Sequence, residues 1–152
     1  MLDLGQVESF NASDRITFAY NGKDYELTPT ARQVMAFHTE RVKESTSTNA
    51  AVMAYTVTAP LFGSKYDPEK NTFTGGVIAK LIKEDIEWSA LDRLITSVFI
   101  YFTSGSDLAL AFMETGDFLA AVTKVNEERQ NRLIQPALGE TNGDDSVENP
   151  TA

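Results

Sequence analysis

The stretch that decides the fold is LDRLITSVFIYFTSGSDLALAFMETGD, residues 91–117. Its centre, Leu94 to Phe102, is almost wholly apolar, whereas the rest of the chain is acidic and hydrophilic. Such a run can be a membrane span, a core helix or a surface kept for a partner. A transmembrane helix needs roughly 20 apolar residues. This run supplies fewer than half of them between charged and polar flanks, so we exclude the membrane span.

From Leu91 to Phe102 the apolar residues repeat with the 3.6-residue period of a helix, which we expect Ser89 to cap and Gly105 to end. Because they cover more than one face, the helix is expected to be central. Full burial of each large side chain is worth roughly 1.5–3 kcal/mol, which favours the core. In the alternative, part of this apolar surface stays exposed and lines a groove that binds a helix of another protein.

Composition limits the classes of function. With 152 residues and 42% hydrophobic residues, one globular domain is expected. The sequence contains no cysteine, which excludes disulfides, thiolate metal sites and a cysteine nucleophile, and fits a reducing cytoplasm. A formal net charge of −9 disfavours both nucleic acid and anionic membranes as partners. The opening MLDLGQVESF has no signal-peptide pattern.

The N-terminal part predicts a β-hairpin over residues 15–27, RITFAYNGKDYEL, after a loose arm over residues 1–14. Asn21-Gly22 favours a two-residue turn, because both turn positions need a positive φ. This turn pairs apolar residues across one face. The expected pairs are Tyr20 with Lys23, Phe18 with Tyr25 and Ile16 with Leu27. An isolated hairpin is marginal in water, so it must pack on the domain or pair with another chain.

Helices follow in the remainder of a mainly helical α+β domain over residues 15–135. The first is expected to be capped by Thr28, with Pro29 at its first position. Its inward stripe is expected to be Ala31, Met35, His38 and Val42, flanked by Val34 and Phe37. Later elements are a helix from Ala50 to Thr58, a small second hairpin between Tyr66 and Phe73, a short helix carrying Val77 to Ile82, a helix from Ser106 to Gly116, and a last helix from Asp117 to Pro136.

Residues 136–152, PALGETNGDDSVENPTA, contain four acidic residues, no basic residue and few apolar ones. Such a segment cannot bury enough apolar surface to offset its ordering entropy. We therefore expect a disordered acidic tail.

Catalytic patterns are missing. The sequence contains a single histidine, His38, and no G-x-S-x-G nucleophile elbow with which it could form a catalytic relay. We therefore expect His38 at the edge of the core. Glu84, Asp85 and Glu87 indicate a solvated connection rather than an acid–base pair. The tail does not match a calcium loop, and GSKYDPEKNTFTGG does not match a phosphate loop. We predict no enzyme, and no catalytic residue, cofactor or metal site.

Three motifs occur in order: NGKDYEL followed by TPTARQ, then LFGSKYD…TGG, then SALDRLITSVFIYFTSGSDLALAFMETGD. Over residues 14–120 this order resembles the tail assembly chaperones of long-tailed phages of actinobacteria. The chain departs from the family pattern at Phe112-Met113, where a tryptophan is expected.

The resemblance implies a non-enzymatic protein of the host-cell cytoplasm. It would keep the helical tape-measure protein soluble while tail-tube subunits assemble, with the tail-tube protein as a second partner. A ribosomal frameshift commonly makes a longer form in this family, and self-association is left open. On chemistry alone we predict that the partner is contacted by Phe99, Phe102, Phe112 and Phe118.

Other classes of function stay open. The first alternative is a structural phage protein, such as a minor tail or head-tail connector subunit, whose hairpin would extend a neighbour's sheet. An acidic mimic of nucleic acid and a small-molecule enzyme come after it.

Overall fold

The computed structural model describes residues 7–13, 15–44 and 49–144. The predicted fold class, a mainly helical α+β arrangement with an N-terminal hairpin, is confirmed. The strands are β1 (Val7–Ala12), β2 (Ile16–Tyr20), β3 (Lys23–Leu27), β4 (Lys65–Asp67) and β5 (Thr72–Thr74). The helices are α1 (Ala31–Glu44), α2 (Ala50–Thr58), α3 (Gly76–Lys83), α4 (Trp88–Ser104), α5 (Ser106–Thr115) and α6 (Phe118–Asp144), with a 3-10 turn at Ala59–Phe62. None of the helices in the described ranges is long and apolar enough to cross a membrane.

The hairpin of β2 and β3 has the predicted register. All three expected pairs form, and Asn21 and Gly22 take φ values of 53° and 74° in the turn. The rings of Phe18 and Tyr25 stack with centroids 5.0 Å apart. Because Phe18 is buried in the main core, the hairpin packs on its own domain.

Strand β1 corrects the prediction of a loose arm over residues 1–14. Residues 7–12 pair with β2 in antiparallel register, with an irregularity between Val7 and Ser9. Buried Val7 and Ala12 are five positions apart, which would place them on opposite faces of a regular strand. The bulge at Glu8 turns both toward the core, and this offset hides the strand from a search for simple alternation. Residues 1–6 and 14 lie outside the described part of the chain.

Helix α4 is the central element, as its apolar run predicts. It packs against α2 and α5, and Leu91, Leu94, Ile95 and Val98 are buried in the main core. Near its C-terminal end, Ile100 enters a second, smaller cluster formed with α5 and α6. The members of that cluster are Ile100, Ala109, Ala111, Phe112, Ala121 and Val125. The helix begins at Trp88, so Ser89 lies inside it and is not the predicted N-cap.

The β4–β5 hairpin is held against the start of α3 by a close backbone crossing. A Cβ atom on Gly76 would lie 2.4 Å from the carbonyl carbon and oxygen of Gly63. Gly75, at the N-cap of α3, has no side chain with which to cap it. The Ser64 hydroxyl takes that role, because it accepts a hydrogen bond from the Ile78 amide (3.2 Å) and donates one to the Gly75 carbonyl (2.7 Å).

Helix α6 does not end at Pro136, in contrast to the prediction. Asp117 caps its start as expected, accepting hydrogen bonds from the Leu119 amide (2.9 Å) and the Ala120 amide (3.2 Å). The backbone continues as a helix to Asp144. Proline removes one intrahelical hydrogen bond at a cost of about 3 kcal/mol, but its fixed φ is compatible with a helix. The backbone of α6 thus extends past the predicted end at Pro136, and residues 145–152 of the predicted tail lie outside the described residues.

Candidate partner-binding surface

Helix α1 begins with a capping box that fixes its orientation. The Thr30 hydroxyl accepts a hydrogen bond from the Gln33 amide (3.1 Å), and the Gln33 side chain accepts one from the Thr30 amide (2.8 Å). These two reciprocal bonds satisfy backbone donors at the start of the helix. Thr30 therefore caps α1, in place of the predicted Thr28.

The apolar stripe of α1 faces outward, which reverses the prediction. Met35 is 68% exposed and Val42 is 63% exposed, and Ala31 and His38 are also exposed. The inward residue is Phe37, which is only 2% exposed. We define Ala31, Met35, His38 and Val42 as the α1 stripe.

Phe37 determines which face of α1 packs inward. Its ring centroid lies 5.8 Å from that of Phe99 and 5.8 Å from that of Phe102, both on α4. An aromatic ring buries more area than methionine or valine, and ring pairs at this distance add a favourable contact. The helix is therefore oriented by one phenylalanine, and the stripe with the better helical spacing is left on the surface.

His38 is exposed rather than at the core edge, which corrects that prediction. Its ring meets the edge of Phe37, with centroids 5.2 Å apart. No group of three or more histidine or carboxylate side chains suitable for a metal ion occurs in the described part of the chain. The α1 stripe is therefore an apolar contact surface that carries one imidazole group near its middle.

A groove of about 420 Å³ runs beside α1, between the hairpin and the C-terminal half of α4. Its lining residues are Arg15, Ile16, Glu26, Leu27, Thr28, Pro29, Val34, Tyr101 and Phe102. Val34 belongs to α1 and precedes Met35, so the groove and the α1 stripe lie on the same helix. The Arg15 guanidinium and the Glu26 carboxylate form an exposed ion pair at 2.6 Å at the groove.

The structure separates the four residues predicted to contact a partner. Phe99 and Phe102 come together around Phe37 and are half-buried. Phe118 is 54% exposed at the start of α6. Phe112 is only 8% exposed inside the smaller cluster, so a partner cannot reach it while the fold is intact.

Met35 and Val42 are the residues that sequence reasoning placed wrongly. Val34, Phe37 and Arg41 also recur at helical spacing on α1, so the helix carries two stripes that both fit a 3.6-residue period. The second stripe contains the largest apolar side chain of the helix. That difference in size is the signal in the sequence that indicates which stripe is buried.

Glu84, in the segment KEDIEW, connects the β2–β3 hairpin to the end of α3 through polar contacts. The Glu84 carboxylate pairs with Lys23 and accepts a hydrogen bond from the Asn21 amide group (2.9 Å). Hydrogen bonds from Lys23 and Asn21 lower the pKa of Glu84, and the bond to Glu84 raises the pKa of Lys23. The Tyr20 hydroxyl donates to the Glu84 carbonyl at 3.0 Å. Glu84 is thus engaged in contacts within the fold, rather than in the predicted solvated connection.

A second buried polar contact joins α2 to α4. The Tyr55 hydroxyl donates a hydrogen bond to the Asp92 carboxylate, and burial together with this bond raises the pKa of Tyr55. The ring of Tyr55 also meets the rings of Tyr66, Phe73 and Trp88 edge-on, at centroid distances of 5.4–5.7 Å. These contacts hold the second hairpin against the core.

No protein-family model, curated protein or solved structure matches this chain.

Proposed function

We propose that the chain is a non-enzymatic tail assembly chaperone, which binds the tape-measure protein of a long-tailed phage and keeps it soluble during tail-tube assembly. The observation that carries the proposal is the α1 stripe, whose Met35 and Val42 are largely exposed on a helix that also lines the groove. The motif resemblance suggests the partner. The proposed location is the host cytoplasm, with the tail-tube protein as a second partner and neither nucleic acid nor membrane as a target.

The surface suits a partner that is itself an amphipathic helix. Such a helix exposes an apolar stripe that aggregates unless another apolar surface covers it. Methionine is flexible and polarisable, so Met35 can adapt to successive segments of a long client. The net charge of −9 would keep a complex of chaperone and client dispersed through mutual repulsion.

The ionisable groups also favour a binding protein over an enzyme. The pKa changes found among the described residues accompany contacts that join elements of the fold: Tyr20 and Lys23 with Glu84, Tyr55 with Asp92, and Lys124 with Glu114. A catalytic group needs a perturbed pKa in a cleft that a substrate can enter. Neither Glu84 nor Tyr55 lines the groove beside α1. Glu84 does line a second open groove with Lys23, Lys80 and Lys83, but there its carboxylate is paired with Lys23 and joins the hairpin to α3.

The test is co-expression with the longest helical protein encoded beside this chain. We expect the soluble fraction of that protein to rise and the two proteins to elute together. Met35→Asp should abolish the rise, because a charge in the α1 stripe opposes apolar contact. Leu133→Asp is the matched control, because Leu133 is 75% exposed and lies on a different helix, α6.

The opposite outcome favours the alternative function. If the client stays insoluble and this chain elutes alone as a closed ring, the protein is a structural subunit of the phage particle. For that role the hairpin offers the outer edge of β3, which pairs with no strand among the described residues. Lys23, Asp24 and Glu26 are exposed along β3, and charged side chains disfavour strand addition at an edge. The chaperone proposal is therefore the stronger of the two.

A further inference from the structure

Helix α1 has the opposite sign of charge to the chain as a whole. It contains three basic residues, Arg32, Arg41 and Lys43, and two acidic residues, Glu40 and Glu44, which gives a net charge of +1. Since the whole chain has a formal net charge of −9, the remainder carries −10. The α1 stripe therefore lies on a weakly basic helix of a strongly acidic protein.

Arg32 is the most informative of these charges. It lies in the first turn of α1, where the helix dipole is positive, and that turn contains no acidic residue. Arg32 is exposed and makes no hydrogen bond or ion pair within the described ranges. A cation in this position is electrostatically unfavourable in the free protein, and an approaching carboxylate would remove that disadvantage.

At the other end of the helix, Lys43 forms an ion pair with Glu40 at 3.5 Å. Both side chains are exposed, so this pair is weak. The two ends of the α1 stripe thus each present a basic side chain beside apolar contact surface.

We propose that the α1 stripe docks an amphipathic helix whose apolar face is flanked by acidic residues. The spacing of Ala31, Met35, His38 and Val42 alternates between four and three residues, as at the seam between two paired helices. The identification of the docked helix as a segment of the tape-measure protein rests on the proposed function. The contact spans about three helical turns and is therefore expected to be weak and reversible.

A second copy of the chain is a poorer occupant. Two α1 helices paired across a two-fold axis would bring their basic flanks together. Each copy also carries a net charge of −9, so the approach of two copies is opposed at low ionic strength. Charge complementarity therefore favours an acidic helix from another protein.

The test uses the full chain and fluorescent amphipathic peptides of about three heptads, with leucine at the apolar positions. One peptide has glutamate flanks, one has lysine flanks, and one has glutamate flanks with serine in place of leucine. Anisotropy titrations at low ionic strength should show the acidic leucine peptide binding at least about tenfold more tightly than either of the others. Met35→Asp should abolish this binding.

Arg32→Glu separates charge recognition from folding. It places an acidic residue at the positive end of the helix dipole, so the variant should melt no lower than the wild type. Its affinity for the acidic peptide should fall by about fivefold to tenfold, because the charge reversal removes an exposed attraction and adds a repulsion of similar size. Lys70→Glu makes the same change of charge on an exposed loop residue and should leave the affinity unchanged.

Three results would overturn the proposal: equal binding of the acidic and basic peptides, unchanged affinity in Arg32→Glu, or a wild-type dimer in sedimentation that Met35→Asp disperses. The last would assign the face to a second copy. The same variants keep this inference distinct from the proposed function. If wild type and both α1 variants solubilise the tape-measure protein equally, the function stands and the α1 inference fails. If the peptides bind as expected but co-expression has no effect, only the proposed function fails.

Discussion

Replacing Gly76 by alanine tests the backbone crossing between the second hairpin and α3. The added Cβ would lie 2.4 Å from two backbone atoms of Gly63 and 2.6 Å from the Phe62 carbonyl oxygen. These are backbone atoms and cannot rotate away as the end of a side chain can. The φ of Gly76 is also +60°, in the left-handed region that disfavours alanine.

The magnitude follows from two separate costs. A left-handed conformation costs a non-glycine residue roughly 1–2 kcal/mol. Forcing an extra methyl group into a packed site typically adds about 1–3 kcal/mol. The free energy of unfolding of Gly76→Ala should therefore be lower than that of the wild type by roughly 2–5 kcal/mol.

Gly22→Ala is the matched control, because Gly22 has a φ of +74° and none of the described atoms lies within 4 Å of an added Cβ. Its free energy of unfolding should fall only by the cost of the left-handed backbone conformation, roughly 1–2 kcal/mol. Both variants are measured by urea denaturation followed by circular dichroism, with the slopes compared to confirm the same transition. A difference between the two losses smaller than about 0.5 kcal/mol would show that the crossing does not constrain position 76.

Three further changes probe other parts of the fold. Thr58→Val should raise the free energy of unfolding by about 1 kcal/mol, because the buried Thr58 hydroxyl has no hydrogen-bond partner among the described residues. Ser64→Ala should lower it by about 1–3 kcal/mol, since the Ser64 hydroxyl has two partners, and equal effects in denaturant titrations would contradict this contrast. Lys23 lowers the pKa of Glu84, so the stability from this pair is complete above the ordinary value of 4.5 and is lost as the pH falls through the lower folded-state pKa. Glu84→Gln should therefore lose less stability than the wild type on acidification, and parallel pH profiles would refute the assignment. Removal of all residues after Gln135 should leave the melting temperature unchanged, because Ala121 and Val125, the α6 residues of the smaller cluster, lie upstream of this point. A fall of several degrees would show that residues after Gln135 contribute to stability.

The elements predicted correctly are those that short-range chemistry determines. The register of β2 and β3 follows from a two-residue turn at Asn21-Gly22, and α5 ends where Gly116 takes a positive φ. The central position of α4 follows from an apolar surface too wide for a surface helix. In each case the deciding residues lie within a few positions of one another.

The errors arise where distant parts of the chain decide the outcome. The burial pattern of β1 is explained only by its pairing with β2 and by the bulge at Glu8. The orientation of α1 depends on Phe37 meeting two rings of α4, more than sixty positions later in the sequence. Periodicity within α1 does not contain that information, because both stripes fit a helical period, and only the larger side chain of Phe37 distinguishes the buried stripe in the sequence.

The crossing of Gly63, Ser64, Gly75 and Gly76 has a consequence for how such chains diverge. These residues carry the LFGSKYD…TGG motif. Backbone proximity requires a glycine at position 76, positive φ values favour glycine at positions 63 and 75, and the Ser64 hydroxyl forms the remote cap of α3. A substitution at any of these four positions destabilises the fold of the chain, regardless of which partner it binds. The side chains of the α1 stripe are less constrained by packing, because Met35 and Val42 are largely in solvent. We therefore expect descendants of this chain to retain the glycine crossing while α1 changes along with each new client.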